Sequence, residues 1–169
     1  LQIHEIMLRH ARPRGRIGRI VASVNPLVPK PGTAYQWLPM ERTDVIEAKM
    51  KRLRALVADV DNVYFNIKSE RHSYYQALLS LGDRRIAPAI ELAEANGGQW
   101  RKALADAGLD GDFYIYRDRT NDAVLPWNII DGGMKEPFFR AEYEKSTRAE
   151  WTLPPKRAKE NARLLPVIS

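Results

Sequence analysis

Cysteine is missing from this chain. Without a thiol there can be neither disulfides nor thiolate metal sites, and nothing ties the fold to an oxidising compartment. Long apolar runs are missing as well: no stretch approaches the roughly 20 residues needed to span a bilayer, and no signal-peptide core opens the sequence. A cytoplasmic protein is the expectation. Histidine is scarce, and His4, His10 and His72 are too scattered for a metal-site signature, so each reads as a surface or packing residue. Neither GxSxG, a Walker loop nor GxGxxG occurs, which leaves nucleophilic hydrolysis and nucleotide-phosphate binding without an anchor.

What is present suffices for a core. The 169 residues, 44% of them hydrophobic, fit one domain or a half-domain with an extension. Lys and Arg number 27 against 21 Asp and Glu, for a net charge of +6. That excess suits a polyanion partner. The cations gather in Arg9 to Arg19, Lys49 to Arg54 and Lys156 to Arg163. The middle group falls on the outer face of a predicted helix and reads as a solvated face.

The stretch from Ile20 to Trp37 organises the rest. Ile20 to Val24 are β-branched or small and carry no alternating charge, so they read as a strand buried on both faces, the kind found in parallel sheets. Pro26, Pro29 and Pro31 then leave the sheet while keeping the chain extended, and Gly32 permits a turn. Asn25, Lys30, Thr33, Tyr35 and Gln36 are thereby held on a stiff segment beyond the carboxyl end of a strand, where α/β folds place ligand groups. The competing reading is a proline-rich loop that only covers the sheet edge.

A short N-terminal helix, closed by Pro13 and Gly15, precedes that strand. After Trp37, Thr43 or Asp44 opens a helix with capping-box spacing to Glu47 and an apolar stripe Ile46, Met50, Leu53, Val57 and Val60. It is expected to lie against the sheet. Val63 to Lys68 reads as a second strand reached by a crossover. From Ser69 the pattern turns helical: a helix through Leu81, a second capped by Asp83 with Ile86, Ile90 and Ala93 inward, and a short third at Trp100 and Leu104. Phe113 to Tyr116 reads as extended. A last helix has Pro137 in its first turn and Phe138, Phe139 and Tyr143 facing in. Beyond Trp151 the prolines and lysines suggest a tail whose Leu164, Leu165, Val167 and Ile168 could dock back. Trp100 and Trp127 read as core. Arg84 and Arg85 beside Asp83 either form an anion clamp at a helix start or pair with neighbouring acids such as Glu70.

Three stretches carry a resemblance: Ser23 to Trp37, Ala77 to Arg85, and Leu125 to Gly133 followed by Phe138, Phe139, Glu142 and Tyr143. In this order they resemble the C-terminal part of radical S-adenosylmethionine Fe-S enzymes, those related to the methylthiotransferases and often preceded by a cobalamin-binding domain. The resemblance covers roughly residues 1 to 147. It implies closing βα units of a partial TIM-like barrel over 1–68, a mainly helical extension over 69–150 and a tail over 151–169. It also implies a parent oxidoreductase or transferase that uses a 4Fe-4S cluster to cleave S-adenosylmethionine to a 5′-deoxyadenosyl radical, in some members with cobalamin, and tRNA as a substrate in the methylthiotransferase branch.

One departure is large. The family holds its cluster on a CxxxCxxC loop, and this chain has no cysteine to hold it. The expectation is a segment that binds no cofactor and is inert alone, contributing the last barrel wall and a cap over the substrate site. Its partner would be the N-terminal remainder of its own polypeptide, and the sheet edge left open would permit self-association. The start at Leu1, inside a helical pattern, fits a piece of a longer chain. The alternative is a stand-alone basic α/β module that binds RNA or a protein.

Overall fold

The computed structural model describes residues 2–122, 124–150 and 152–153. The architecture is mixed α/β, with seven α-helices and one two-stranded parallel sheet among the described residues. In chain order these are α1 (Gln2–Ala11), β1 (Ile20–Val24), α2 (Thr43–Leu56), β2 (Val63–Ile67), α3 (Glu70–Leu81), α4 (Ala87–Ala95), α5 (Trp100–Asp106), α6 (Gly111–Tyr116) and α7 (Glu136–Thr147). No helix of the described chain is long and apolar enough to cross a membrane.

β1 and β2 pair in register from Ile20 with Val63 to Val24 with Ile67, joined by the crossover through α2. The expected double coverage is not met. Burial alternates along both strands, and Val21 and Tyr64, facing partners in the ladder, are 52% and 51% exposed. Two strands alone leave one face with no covering layer among the described residues. A parallel pair of this kind is normally sandwiched.

α2 begins at Thr43 with Arg42 in the capping position and no side-chain cap, so the expected capping box does not form. Asp44 instead serves the first turn, where a carboxylate suits the helix dipole, and meets Arg42 at 3.4 Å. The helix stops at Leu56, and Asn62, with φ 60°, completes the turn into β2. α2 meets α3, with Ile46 and Met50 joining the helical core, and the rest of its apolar stripe, Leu53, Val57 and Val60, is half-buried.

That core is built on Leu78 and Ala77 of α3, Ile86 and Ala89 at the start of α4, Leu104 of α5, and Tyr114 and Ile115 of α6. Ile86, Ala89 and Ala93 form the buried stripe of α4, and Ile90, expected inward, lies beside it and is 40% exposed. Pro88 sits in the first turn, where its missing donor costs nothing. Phe113 to Tyr116 is helical, contrary to its β-forming composition. Asp110 caps it by accepting from the Asp112 amide at 2.9 Å, and burial of Tyr114 and Ile115 outweighs the local preference. Ser69 does occupy the start of α3, yet it acts through its carbonyl, which accepts from Ser73, and not through its hydroxyl. In α7 Pro137 takes the first turn as expected, Phe139 and Tyr143 are half-buried, and Phe138 is largely exposed. The tail residues Leu164, Leu165, Val167 and Ile168 lie outside the described residues.

Arg119 ties these pieces together and is only 1% exposed. Its guanidinium donates to the Arg117 carbonyl at 2.9 Å, to the Leu81 carbonyl at 3.4 Å and to the Tyr114 carbonyl. Leu81 ends α3 and Tyr114 lies in the last turn of α6, so the cation meets the negative ends of two helices. Its backbone amide donates to the Trp37 carbonyl at 2.9 Å. Burial pulls its pKa below the ordinary arginine value, from which it is still far from neutral at any physiological pH. Replacing Arg119 with Leu is expected to lower the unfolding free energy by about 3 kcal/mol or more, since buried carbonyls lose charge-assisted partners. Urea denaturation measures this; a loss under about 0.5 kcal/mol, the range of a neutral surface change, would contradict the role.

Candidate functional site

The segment leaving β1 forms a lip across the helical core. Val28 packs on the core and Pro29 is buried beneath the lip. The Lys30 ammonium donates to the Ser80 hydroxyl at 3.0 Å, and the Thr33 hydroxyl donates to the Lys30 carbonyl at 2.8 Å, closing a turn in which Gly32 takes φ 65°. Only a residue without Cβ adopts that angle at no cost.

Gln36 is buried, and its Oε1 accepts two hydrogen bonds: from the Gly32 amide at 3.1 Å and from the Trp127 indole at 2.7 Å. One amide oxygen thus joins the lip turn to a loop 91 residues away. Trp37, also buried, lies under the Arg140 guanidinium at 3.8 Å from the ring centroid. Arg140 in turn donates to the Thr120 carbonyl at 3.2 Å, which pins α7 onto the lip. The Met40 amide donates to the Ile115 carbonyl at 3.0 Å.

Two clefts adjoin along Pro31, Trp127 and Ile130. The larger, about 1210 Å³ and open to solvent, runs from Ser80 and Gly82 through Arg84 and Arg85 to Arg117, Asp122 and the apolar Leu125, Ile129 and Ile130. The smaller, about 530 Å³, lies between Gly32 and Gln36 on one side and Met134, Glu136 and Phe139 on the other. Gly82 is there for space: a Cβ would come within 2.7 Å of both Ile86 Cδ1 and the Leu78 carbonyl.

Charge in the larger cleft is mostly spoken for. Asp83 caps the 3-10 turn that leads into α4 by accepting from the Arg85 amide, and its carboxylate also receives the Arg85 side chain at 2.6 and 3.0 Å. Arg85 therefore pairs with its own neighbour and not with Glu70. Arg117 pairs with Asp122 at 2.9 Å. Arg84, exposed on the rim, enters no ion pair among the described residues. Such a rim can take one anionic group above an apolar floor. No histidine lines either cleft among the described residues, and the Ser80 hydroxyl is already occupied by Lys30. Among the described residues the linings combine an arginine rim with an apolar floor and offer no nucleophile paired with a base.

Of the residues expected in the pocket, Gln36 lines the smaller cleft directly. Lys30 stands behind the larger one through Ser80, and Thr33 shapes the turn between them. Tyr35 lies edge-on to Tyr143 of α7, with ring centroids 6.4 Å apart, and Asn25 is exposed and lines neither cleft. Arg84 and Arg85 both line the larger cleft. Trp127, read as core, is a shared wall of both. Arg117 and Asp122 were not singled out by the sequence, and Ser80 carried no role of its own beyond lying in the Ala77 to Arg85 stretch. No protein-family model, curated protein or solved structure matches this chain.

Replacing Gln36 with Leu is expected to cost about 2 kcal/mol, because the Gly32 and Trp127 donors lose a buried acceptor. The Trp127 environment should loosen with it, read as a red-shifted tryptophan emission; unchanged stability and emission would remove the hub. Asp83 gives a pH signature. Hydrogen bonds from the Arg85 side chain hold its carboxyl below the ordinary range, so its contribution is complete above about pH 4 and fades as pH falls through the depressed native value. The difference in denaturation midpoint between the parent chain and Asp83→Asn should be constant near neutrality and close in acid; a gap that stays open there contradicts the assignment.

Proposed function

We propose that this chain is the closing wall and cap of a radical S-adenosylmethionine enzyme, working with an N-terminal remainder of the same polypeptide. One observation carries the reading. The three stretches on which the resemblance rests, far apart in sequence, line adjoining clefts: Pro31, Gly32 and Gln36 from the first, Ser80 and Gly82 to Arg85 from the second, and Leu125 to Gly132 with Phe139 from the third. The lip residues that line them follow the carboxyl end of β1 in the chain, and barrel enzymes hold substrate beyond such strand ends. The uncovered strand pair is the element that such a barrel would extend.

The chain's own residues do not fit a four-iron cluster. The sequence offers no thiolate, and the described residues include no group of three His, Cys, Asp or Glu that could hold a metal ion. In this reading the cluster, S-adenosylmethionine and any cobalamin are supplied with the rest of the polypeptide, and the electron chemistry is theirs. This segment binds, orients and shields. The lip, with Lys30, Thr33 and Gln36, fixes the shape of the pocket mouth, and the apolar floor of the larger cleft keeps water from the ligand.

The reading frame upstream of Leu1 provides the decisive test. In-frame barrel sequence with a CxxxCxxC loop is expected, and the longer chain, reconstituted anaerobically, should be brown and bind iron. In that longer chain, Lys30→Ala with Thr33→Ala should lower turnover roughly 10- to 100-fold, the scale of a small misplacement at the pocket, with the melting temperature little changed. An immediate start codon would overturn the proposal in favour of a stand-alone basic module.

A further inference from the structure

The connection between α1 and β1 concentrates the charge of the molecule. Arg9, Arg12, Arg14, Arg16 and Arg19 fall within eleven residues that include no Asp or Glu. They supply five of the six net positive charges, leaving +1 for the rest of the chain. All five are exposed, and none enters an ion pair among the described residues. The basic run of α2 differs only in part: Lys49 meets Glu41 at 2.7 Å, while Lys51, Arg52 and Arg54 enter no ion pair among the described residues. Five like charges on so short a segment repel one another and cost stability unless counter-charge arrives from outside.

Local structure holds them together. Arg12 to Arg14 form a 3-10 turn, and Gly15, with φ 65°, reverses the chain so that Arg14 and Arg16, with His10 and Gly18, line a shallow cleft of about 380 Å³. Arg19 is laid over the Tyr64 ring at 5.4 Å, which fixes the end of the segment to the sheet. The cluster sits at the amino-terminal end of β1, whereas the lip leaves its carboxyl end. The two surfaces are therefore separate, and a role for the arginines stands whether or not the clefts belong to a radical enzyme.

We propose that the Arg9 to Arg19 connection is a contact surface for the sugar-phosphate backbone of single-stranded RNA. The cations are all arginines, whose planar fork meets phosphate oxygens in pairs and stacks on bases, where a lysine would offer a point charge. Glycines at 15 and 18 give the segment the freedom to follow a flexible strand, as arginine and glycine mixtures do in proteins that bind single strands. An anionic bilayer is the rival polyanion, and α1 does expose Ile3 and Ile6, but four of the five arginines lie beyond the end of α1 and off the polar face that an interfacial helix lays on a membrane.

Fluorescence anisotropy of a labelled oligouridine, titrated with the whole chain over a range of salt, tests this. The parent chain should bind with steep salt dependence. The triple variant Arg12→Gln, Arg14→Gln, Arg16→Gln should lose at least about tenfold in affinity at low salt, and its slope of log affinity against log salt should be shallower by about 2, at roughly 0.7 per lost phosphate contact. Arg14→Gln alone should shift the slope by about 0.7. Because all three side chains are exposed, circular dichroism and melting should match the parent. Salt-independent binding, no binding, or equal slopes for parent and variant would overturn the proposal. So would tighter binding to phosphatidylserine and phosphatidylcholine vesicles than to oligouridine, lost in the same variant, which would assign the surface to membranes.

Discussion

A single buried guanidinium decides how the helical body is put together. Removing arginine from water is costly, and the cost is offset here by carbonyls and not by a carboxylate: Arg119 reaches those of Leu81, Tyr114 and Arg117. Carbonyls at helix ends are short of donors by construction, so one planar cation satisfies groups that would otherwise need water. The requirement is mutual. α3 and α6 can end side by side because the cation stands between them, and the cation can be buried because both ends are there. The same residue's amide takes the Trp37 carbonyl, so the lip is placed by the event that closes the core.

From that anchor the clefts follow. Trp37 is fixed at its carbonyl by Arg119 and at its ring by Arg140, and Gln36 beside it gathers the Gly32 turn and Trp127. Both clefts share Pro31 and Trp127, so a change that moves the indole reshapes the two together. Aromatic packing adds to this on the far side of the helices, where Tyr75 stacks on Trp100 with centroids 5.4 Å apart.

Local signals in the sequence were strong where the chain decides alone. The β1–α2–β2 order, the break at Gly82, Pro88 and Pro137 in first turns, and the Asp83 cap were all readable because each rests on one or two neighbouring residues. Readings that needed tertiary knowledge fared worse. Phe113 to Tyr116 looked like a strand because β-branched and aromatic types favour pleated surfaces, yet a cap at Asp110 and two buried residues made it a helix. The Thr43 and Asp44 box failed because Arg42 held the capping position. The strands read as doubly covered because composition cannot count the layers present. For the site, Gln36 and the Arg84 and Arg85 pair were legible by residue type beside a turn. Trp127, Ser80 and Asp122 were not, since only the long-range closure around Arg119 brings them there.

The lip's anchors, from Lys30 to Met40, all run to the helical body, and none runs to the strands. Both strands leave the pair at the same end, β1 through the short stretch at Asn25 to Leu27 and β2 through Lys68 and Ser69. Mechanically the sheet is held at both ends, since the turn from α2 through Asn62 enters β2 at the opposite one and α2 packs on the helical core. A load applied to it, such as docking of further strands, is shared between the lip at one end and α2 at the other, so it reaches the helical body by two routes.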